Sequence, residues 1–303
     1  MITKINSSTL PGNFRGIHVA LVSPMTAAGA LDEKALGAFV EYLVRCGVHG
    51  LIPLGSTGEY YALSAGERER VLRVTLEAAA GRVPVLAGAN GGATRDVVAN
   101  ARQAEALGCA GVLLAAPYYS LPAPDELAAH FRAVNAAIGI PIMLYNYPGR
   151  TGVDMQPEWV AALCEELANV CYIKDSTGDM TRVSSLLRLC GDRLGVFCGC
   201  DTLAFESFML GARGWVSGVP NVTPKSFVRL YELAVVRQDY AAARALYFRM
   251  LPLLSHMESG RYTQLVKAGC RLKGFEVGSP RAPLCEAPAD LVARLRECVG
   301  DLE

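Results

Sequence analysis

Eight short apolar runs alternate with stretches of helical length and period, and this alternation limits the possible folds more than any other feature of the chain. The runs are residues 17–22, 50–54, 83–87, 111–115, 140–144, 170–173, 194–197 and 214–216. Each is apolar nearly throughout instead of alternating with polar residues. Strands of a parallel sheet, covered by helices on both faces, read in this way. The intervening stretches, 32–46, 65–80, 94–107, 124–138, 157–168, 181–190 and 202–210, carry helical periodicity. Ser64 followed three residues later by Glu67 is a capping box, and Pro124-Asp125-Glu126 opens another helix with acid in its first turn. No GxGxxG follows the first run, which removes a dinucleotide-binding open sheet. Eight strand–helix units fit a closed (β/α)8 TIM barrel, predicted over residues 16–222. A short N-terminal arm, 1–15, precedes it. After it comes an all-helical C-terminal extension, 223–303, with segments near 224–236, 240–255, 262–269 and 289–299.

Composition narrows the partners. The chain is 51% apolar and 19% charged, so it holds a large core. Formal net charge is zero and no long basic run occurs, which argues against nucleic acid and anionic membranes. No segment approaches the length of a membrane span. The opening residues lack the apolar stretch of a signal peptide, so a cytoplasmic location is predicted. Ten cysteines fall mostly inside apolar runs, where a thiol acts as a small hydrophobe. Neither Cys198-Gly199-Cys200 nor the four histidines show metal-ligand spacing, and no metal is expected.

A barrel performs its chemistry on the loops that follow its strands. After the second run come Gly55-Ser56-Thr57-Gly58-Glu59, and after the fourth Pro117-Tyr118-Tyr119. The fifth leads into Tyr145-Asn146-Tyr147-Pro148-Gly149-Arg150, and the eighth into Val216-Ser217-Gly218. Lys174 closes the sixth run ahead of Asp175-Ser176-Thr177-Gly178. The other five lysines, Lys4, Lys34, Lys225, Lys267 and Lys273, fall in polar or helical surroundings. Burial disfavours an ammonium and lowers its pKa. A lysine at about 10.4 is roughly 0.04% neutral at pH 7, and a fall of about 3 units makes it roughly a third neutral. Neutral amine attacks a ketone to give a Schiff base. The alternative is a buried lysine paired with Asp175 or Glu59.

The remaining candidates also have two readings each. The hydroxyls and backbone N–H groups of the Ser56-Thr57 turn suit a carboxylate or phosphate, or else form a plain turn. The turn lacks the lysine and spacing of a nucleoside triphosphate loop. Tyr145, one strand from Lys174, is a proton relay or a core tyrosine with a satisfied hydroxyl. Arg150 is a carboxylate clamp or a surface charge.

The motifs GSTGE, PYY, YNYPGRTG and YIKDSTGD, in this order and on these runs, resemble the dihydrodipicolinate synthase/N-acetylneuraminate lyase family. The likeness covers nearly the whole chain. It implies a (β/α)8 barrel with a helical C-terminal appendage, assembled as a homotetramer (a dimer of dimers). It also implies lyase chemistry of class I, without metal or cofactor, on pyruvate or another 2-keto acid and an aldehyde. By resemblance, Lys174 forms the imine and Tyr145 relays protons. Ser56 and Thr57 bind the keto-acid carboxylate and connect to Tyr145. Tyr119 reaches into a neighbouring subunit's site, and Val216 offers its carbonyl near the imine.

Arg150 resembles the arginine that takes the carboxylate of aspartate semialdehyde, so the leading activity is condensation of that aldehyde with pyruvate to 4-hydroxy-tetrahydrodipicolinate. Ser56 in place of the usual first threonine, and the bulk of Tyr60, Tyr61 and Tyr147, fit instead an aldolase or dehydratase of a 2-keto-3-deoxy sugar acid, or an N-acetylneuraminate lyase. A non-catalytic keto-acid sensor is the reading from another class, and intact Lys174, Tyr145 and Thr57 speak against it. Family members inhibited by L-lysine bind it with polar side chains on the loops after the second and third strands. Here residues 63–66 and 89–93 offer mainly glycine and alanine, with Asn90 out of register, so no lysine inhibition is expected.

Overall fold

The computed structural model describes residues 10–300 and Leu302, so most of the predicted N-terminal arm, residues 1–9, lies outside the described residues. The strands are β1 (Gly16–Ala20), β2 (Gly50–Ile52), β3 (Leu86–Gly88), β4 (Gly111–Ala115), β5 (Ile142–Asn146), β6 (Val170–Asp175), β7 (Gly195–Cys198) and β8 (Gly214–Ser217). The helices are α1 (Glu33–Arg45), α2 (Ala65–Ala79), α3 (Thr94–Ala106), α4 (Pro124–Asn135), α5 (Pro148–Thr151), α6 (Pro157–Glu166), α7 (Met180–Cys190), α8 (Ala204–Leu210), α9 (Pro224–Tyr231), α10 (Tyr240–Glu258), α11 (Tyr262–Leu272) and α12 (Ala289–Val299). The eight strands follow one another in the order β2-β1-β8-β7-β6-β5-β4-β3. Leu51 of β2 bridges Val85, the residue before β3, in parallel. This is the predicted (β/α)8 fold with a helical appendage. Among the described residues no helix is long and apolar enough to cross a membrane.

Two compact units are distinguishable. The first comprises Leu86–Trp215 with the described part of Met1–Arg15. Here β3 to β7 pair in parallel, each with the next. Two expected strands are extended at their C-terminal ends: β5 runs on to Asn146 and β6 to Asp175. Polar residues at a strand end look like a turn in sequence, yet their backbones stay in the ladder. Register then pairs Tyr145 with Lys174 and Asn146 with Asp175. The Phe14 and Tyr172 rings pack tilted with centroids 4.8 Å apart, and the Phe14 N–H donates to the Tyr172 hydroxyl, which donates to the Pro11 carbonyl.

The second unit comprises Gly16–Val85 and Val216–Glu303. The capping box forms as expected: Ser64 Oγ accepts from Glu67 N, and the Glu67 carboxylate accepts from Ser64 N. Asn221 ties the turn after β8 to β1, donating to the Ala20 and Gly218 carbonyls and accepting from Val22 N. Helix α11 is buried continuously from Thr263 to Cys270. Its Gly269 is needed for that packing, because a Cβ there would lie 2.6 Å from Val222.

His18 on β1 has no exposed surface. Burial, helped by the neighbouring His49, holds its pKa down to about 3. Above pH 6.5 the imidazole is neutral whether the chain is folded or unfolded. Below it only the unfolded chain takes up the proton readily, so stability falls as pH drops from 6.5 toward 3. Between pH 6.5 and 5 the expected loss is about 2 kcal/mol. Denaturant titrations at the two pH values measure it, and His18→Leu should flatten the dependence by about that amount. An equal slope in the variant would assign the acid sensitivity to other groups.

Candidate active site

In the first unit the C-terminal ends of β5 and β6 bring Tyr145 and Lys174 side by side. Both are buried, at 7% and 8% exposure. The Lys174 ammonium lies 4.2 Å from the centre of the Tyr145 ring, within cation–π range. Among the described residues no carboxylate pairs with Lys174. The two partners proposed by the structural alternative are engaged elsewhere: Asp175 with Arg182, and Glu59 with Lys267. The lysine is therefore held by a ring face, with its nitrogen free of an anionic partner.

A buried polar network braces this pair from the next positions along the strands. Asp175 accepts from Asn146 Nδ2 at 3.1 Å and from Arg182 Nε at 3.3 Å on one oxygen. Its other oxygen accepts from the Thr177 N–H and hydroxyl. Asn146 also donates to Asp154 and accepts from Met155 N, while Arg182 bridges to Asp154 and to the Met155 carbonyl. Each charge in the network has a partner, as burial requires. The adjacent Tyr145 and Lys174 are thus mounted on strand ends that cannot easily shift.

Gly199, after β7, lies against the same lysine. A Cβ there would fall 2.9 Å from Lys174 Cε and 2.0 Å from Ser176 Oγ, so only glycine leaves the lysine stem its room. The Gly199 N–H donates to the Asp175 carbonyl at 2.8 Å. Sequence reasoning passed over Gly199 as the middle of a cysteine pair; its place just past a strand end was the available signal.

Arg150 sits on α5 and is exposed, with its guanidinium 5.6 Å from the Tyr147 ring centre. Tyr147 in turn lies 6.0 Å from Tyr145, so an aromatic pair links the arginine to the strand end. Tyr119 is 96% exposed and, like Leu121, adopts a positive φ. Leu121 reaches back over Gly152, whose φ of +70° and missing Cβ admit it. The Tyr119 loop therefore packs against the Arg150 turn, while Tyr119 itself projects away.

In the second unit, Thr57 is buried and Ser56 half-buried at the turn after β2. Gly218, two residues after buried Val216, lets Thr57 approach: a Cβ on it would lie 3.0 Å from Thr57 Oγ1 and 2.6 Å from the Tyr262 ring. The Tyr262 hydroxyl accepts from Gly218 N at 3.0 Å and lies 3.3 Å from Ser217 Oγ. This phenol, from α11, had no signal in the sequence because it is remote from every strand end along the chain. In the first unit, Asn90, the one candidate for an effector contact, uses its side-chain oxygen to accept from Ala115 N.

The chain matches the model of the dihydrodipicolinate synthetase family over residues 13–300. It is 39% identical over 290 residues to 4-hydroxy-tetrahydrodipicolinate synthase of Pelobacter propionicus, covering 95% of this chain and 99% of that one. The structure of dihydrodipicolinate synthase from Thermotoga maritima superposes with a TM-score of 0.92 at 32% identity, over 95% and 98% of the two chains. That of the Acinetobacter baumannii dihydrodipicolinate synthase complexed with pyruvate does so with a TM-score of 0.91 at 31% identity, over 95% and 98%.

Proposed function

This chain belongs to the dihydrodipicolinate synthetase family, and from that membership we propose that it is a 4-hydroxy-tetrahydrodipicolinate synthase that joins pyruvate to aspartate semialdehyde through a lysine imine. The observation that carries the reading is the buried Lys174, set beside Tyr145 without a carboxylate partner. The neutral Lys174 amine attacks C2 of pyruvate, and loss of water leaves the imine. Tyr145 delivers and removes the protons of these steps. Loss of a proton from C3 gives an enamine, which adds to the aldehyde carbon. The amino group of the second substrate then displaces Lys174 from the imine carbon, closing the ring and freeing the enzyme. One water is released overall.

Ser56 and Thr57 are assigned to the pyruvate carboxylate, Val216 to a carbonyl contact near the imine, and Arg150 to the carboxylate of the aldehyde. Tyr119, nearly fully exposed on its own subunit, is assigned to the site of a neighbour in a homotetramer. We place the catalytic barrel at residues 16–222 and the helical extension at 223–303, and the enzyme in the cytoplasm.

Arg150 separates this reading from cleavage of a 2-keto-3-deoxy sugar acid, which shares the imine. Arg150→Ala is expected to spare imine formation and to weaken aldehyde use by about 1.5–3 kcal/mol, the scale of a charge-assisted hydrogen bond. Steady-state kinetics at saturating pyruvate measure this, and an unchanged dependence on aspartate semialdehyde would favour the sugar-acid activity. Millimolar L-lysine is expected to leave turnover unchanged, since residues 63–66 and 89–93 offer mainly glycine and alanine, with Asn90 out of register. A titration of activity against L-lysine checks this.

A further inference from the structure

The turn assigned to the pyruvate carboxylate is strained at both ends. Leu54 and Glu59 bracket it with φ of +61° and +55°, in the left-handed region that non-glycine residues seldom occupy. Such conformations persist only where the surroundings over-determine them. Gly58 is fixed from within the turn's own neighbourhood: a Cβ on it would strike the Leu21 carbonyl at 2.8 Å, and its carbonyl accepts from Ser23 Oγ.

Glu59 is fixed from the far end of the chain. Its carboxylate has no exposed surface and pairs with Lys267 of α11 at 2.5 Å, itself without exposed surface. Its second oxygen accepts from Arg281 N at 2.7 Å. Lys267 also donates to the Ser279 carbonyl, and the Arg281 guanidinium reaches the Ala62 carbonyl just beyond the turn. A fully buried ion pair is costly to desolvate and is a poor source of stability, so its presence beside a strained turn calls for another role.

We infer that Lys267 is a positioning residue for keto-acid binding: through Glu59 it holds the Leu54–Glu59 turn in the strained form that presents Ser56 and Thr57. The inference rests on the assignment of those two hydroxyls to the pyruvate carboxylate. Neither Lys267 nor Glu59 takes part in the chemistry at Lys174. Breaking the pair should therefore release the turn and weaken pyruvate binding while leaving the imine step competent at saturation.

The test uses the full-length protein with Glu59→Gln and, separately, Lys267→Met. Borohydride trapping is followed as a function of pyruvate concentration, and amide hydrogen exchange is measured over the 54–59 turn. In both variants the pyruvate concentration for half-maximal trapping should rise about tenfold or more, with the same maximal labelling. Exchange in the turn should quicken at least tenfold relative to β5 and β6. Unchanged pyruvate dependence and unchanged exchange in folded variants would overturn the inference. Loss of the native circular dichroism in both variants would overturn it as well, assigning the pair to the core alone. If wild-type protein traps no pyruvate, the proposed activity fails, yet faster exchange in the variants would still uphold the anchoring of the turn.

Discussion

Lys174→Ala should abolish turnover, by a factor on the order of 10⁴ or more, the range in which loss of a covalent nucleophile falls. Borohydride added with pyruvate should place the reduced pyruvoyl mass on the peptide that contains Lys174 and on no other. The location is itself informative, because the chain has a second buried lysine. Lys267 is more deeply buried than Lys174, but its ammonium is held by Glu59 and by a backbone carbonyl. Labelling at Lys267, or an undiminished adduct in Lys174→Ala, would overturn the mechanism. The variant should stay folded, since the Asp175–Arg182 network behind the lysine does not use its side chain.

Tyr145→Phe should lower turnover by about 10²-fold or more, the usual scale for a general acid–base group. It keeps the ring that faces Lys174 and removes only the hydroxyl. Pyruvate binding, read from the trapping curve, should therefore change much less than turnover. A parallel fall in both would point to misplacement of the lysine. Wild-type turnover would reduce Tyr145 to a packing residue.

The fold was legible because burial on both faces leaves a plain mark: eight apolar runs, each too short for a helix. The ends of those runs were less legible. Asn146 and Asp175 read as turn residues, but in a parallel sheet the ladder continues as long as a neighbour is present, whatever the side chain. The same residues turned out to brace Tyr145 and Lys174, so an error of two residues in a boundary hid the support of the site. Lys174 stood out because it closes an apolar run at a strand end. Lys267 lies in Leu265-Val266-Lys267-Ala268-Gly269-Cys270, which is as apolar, yet it falls in a helical stretch, where a wet face for a lysine is the ordinary expectation. The small residues Ala268 and Gly269 were the signal of a helix packed on every side. Contacts such as Tyr262 with Gly218 join segments 44 residues apart, and no local pattern encodes them.

The ring that faces Lys174 bears on the imine step proposed for that lysine. When a lysine in a buried ion pair gives up its proton, its carboxylate partner remains as an unbalanced anion in a poorly solvating interior, and the proton is drawn back. Lys174 meets the face of the Tyr145 ring and no carboxylate among the described residues, so no such carboxylate is stranded there. In the proposed mechanism the ring face of Tyr145 lies against Lys174 where a buried ion pair would set a carboxylate. On that reading no carboxylate has to part from Lys174 before the imine forms, and the ring-closing amine of the second substrate returns the lysine to its starting state.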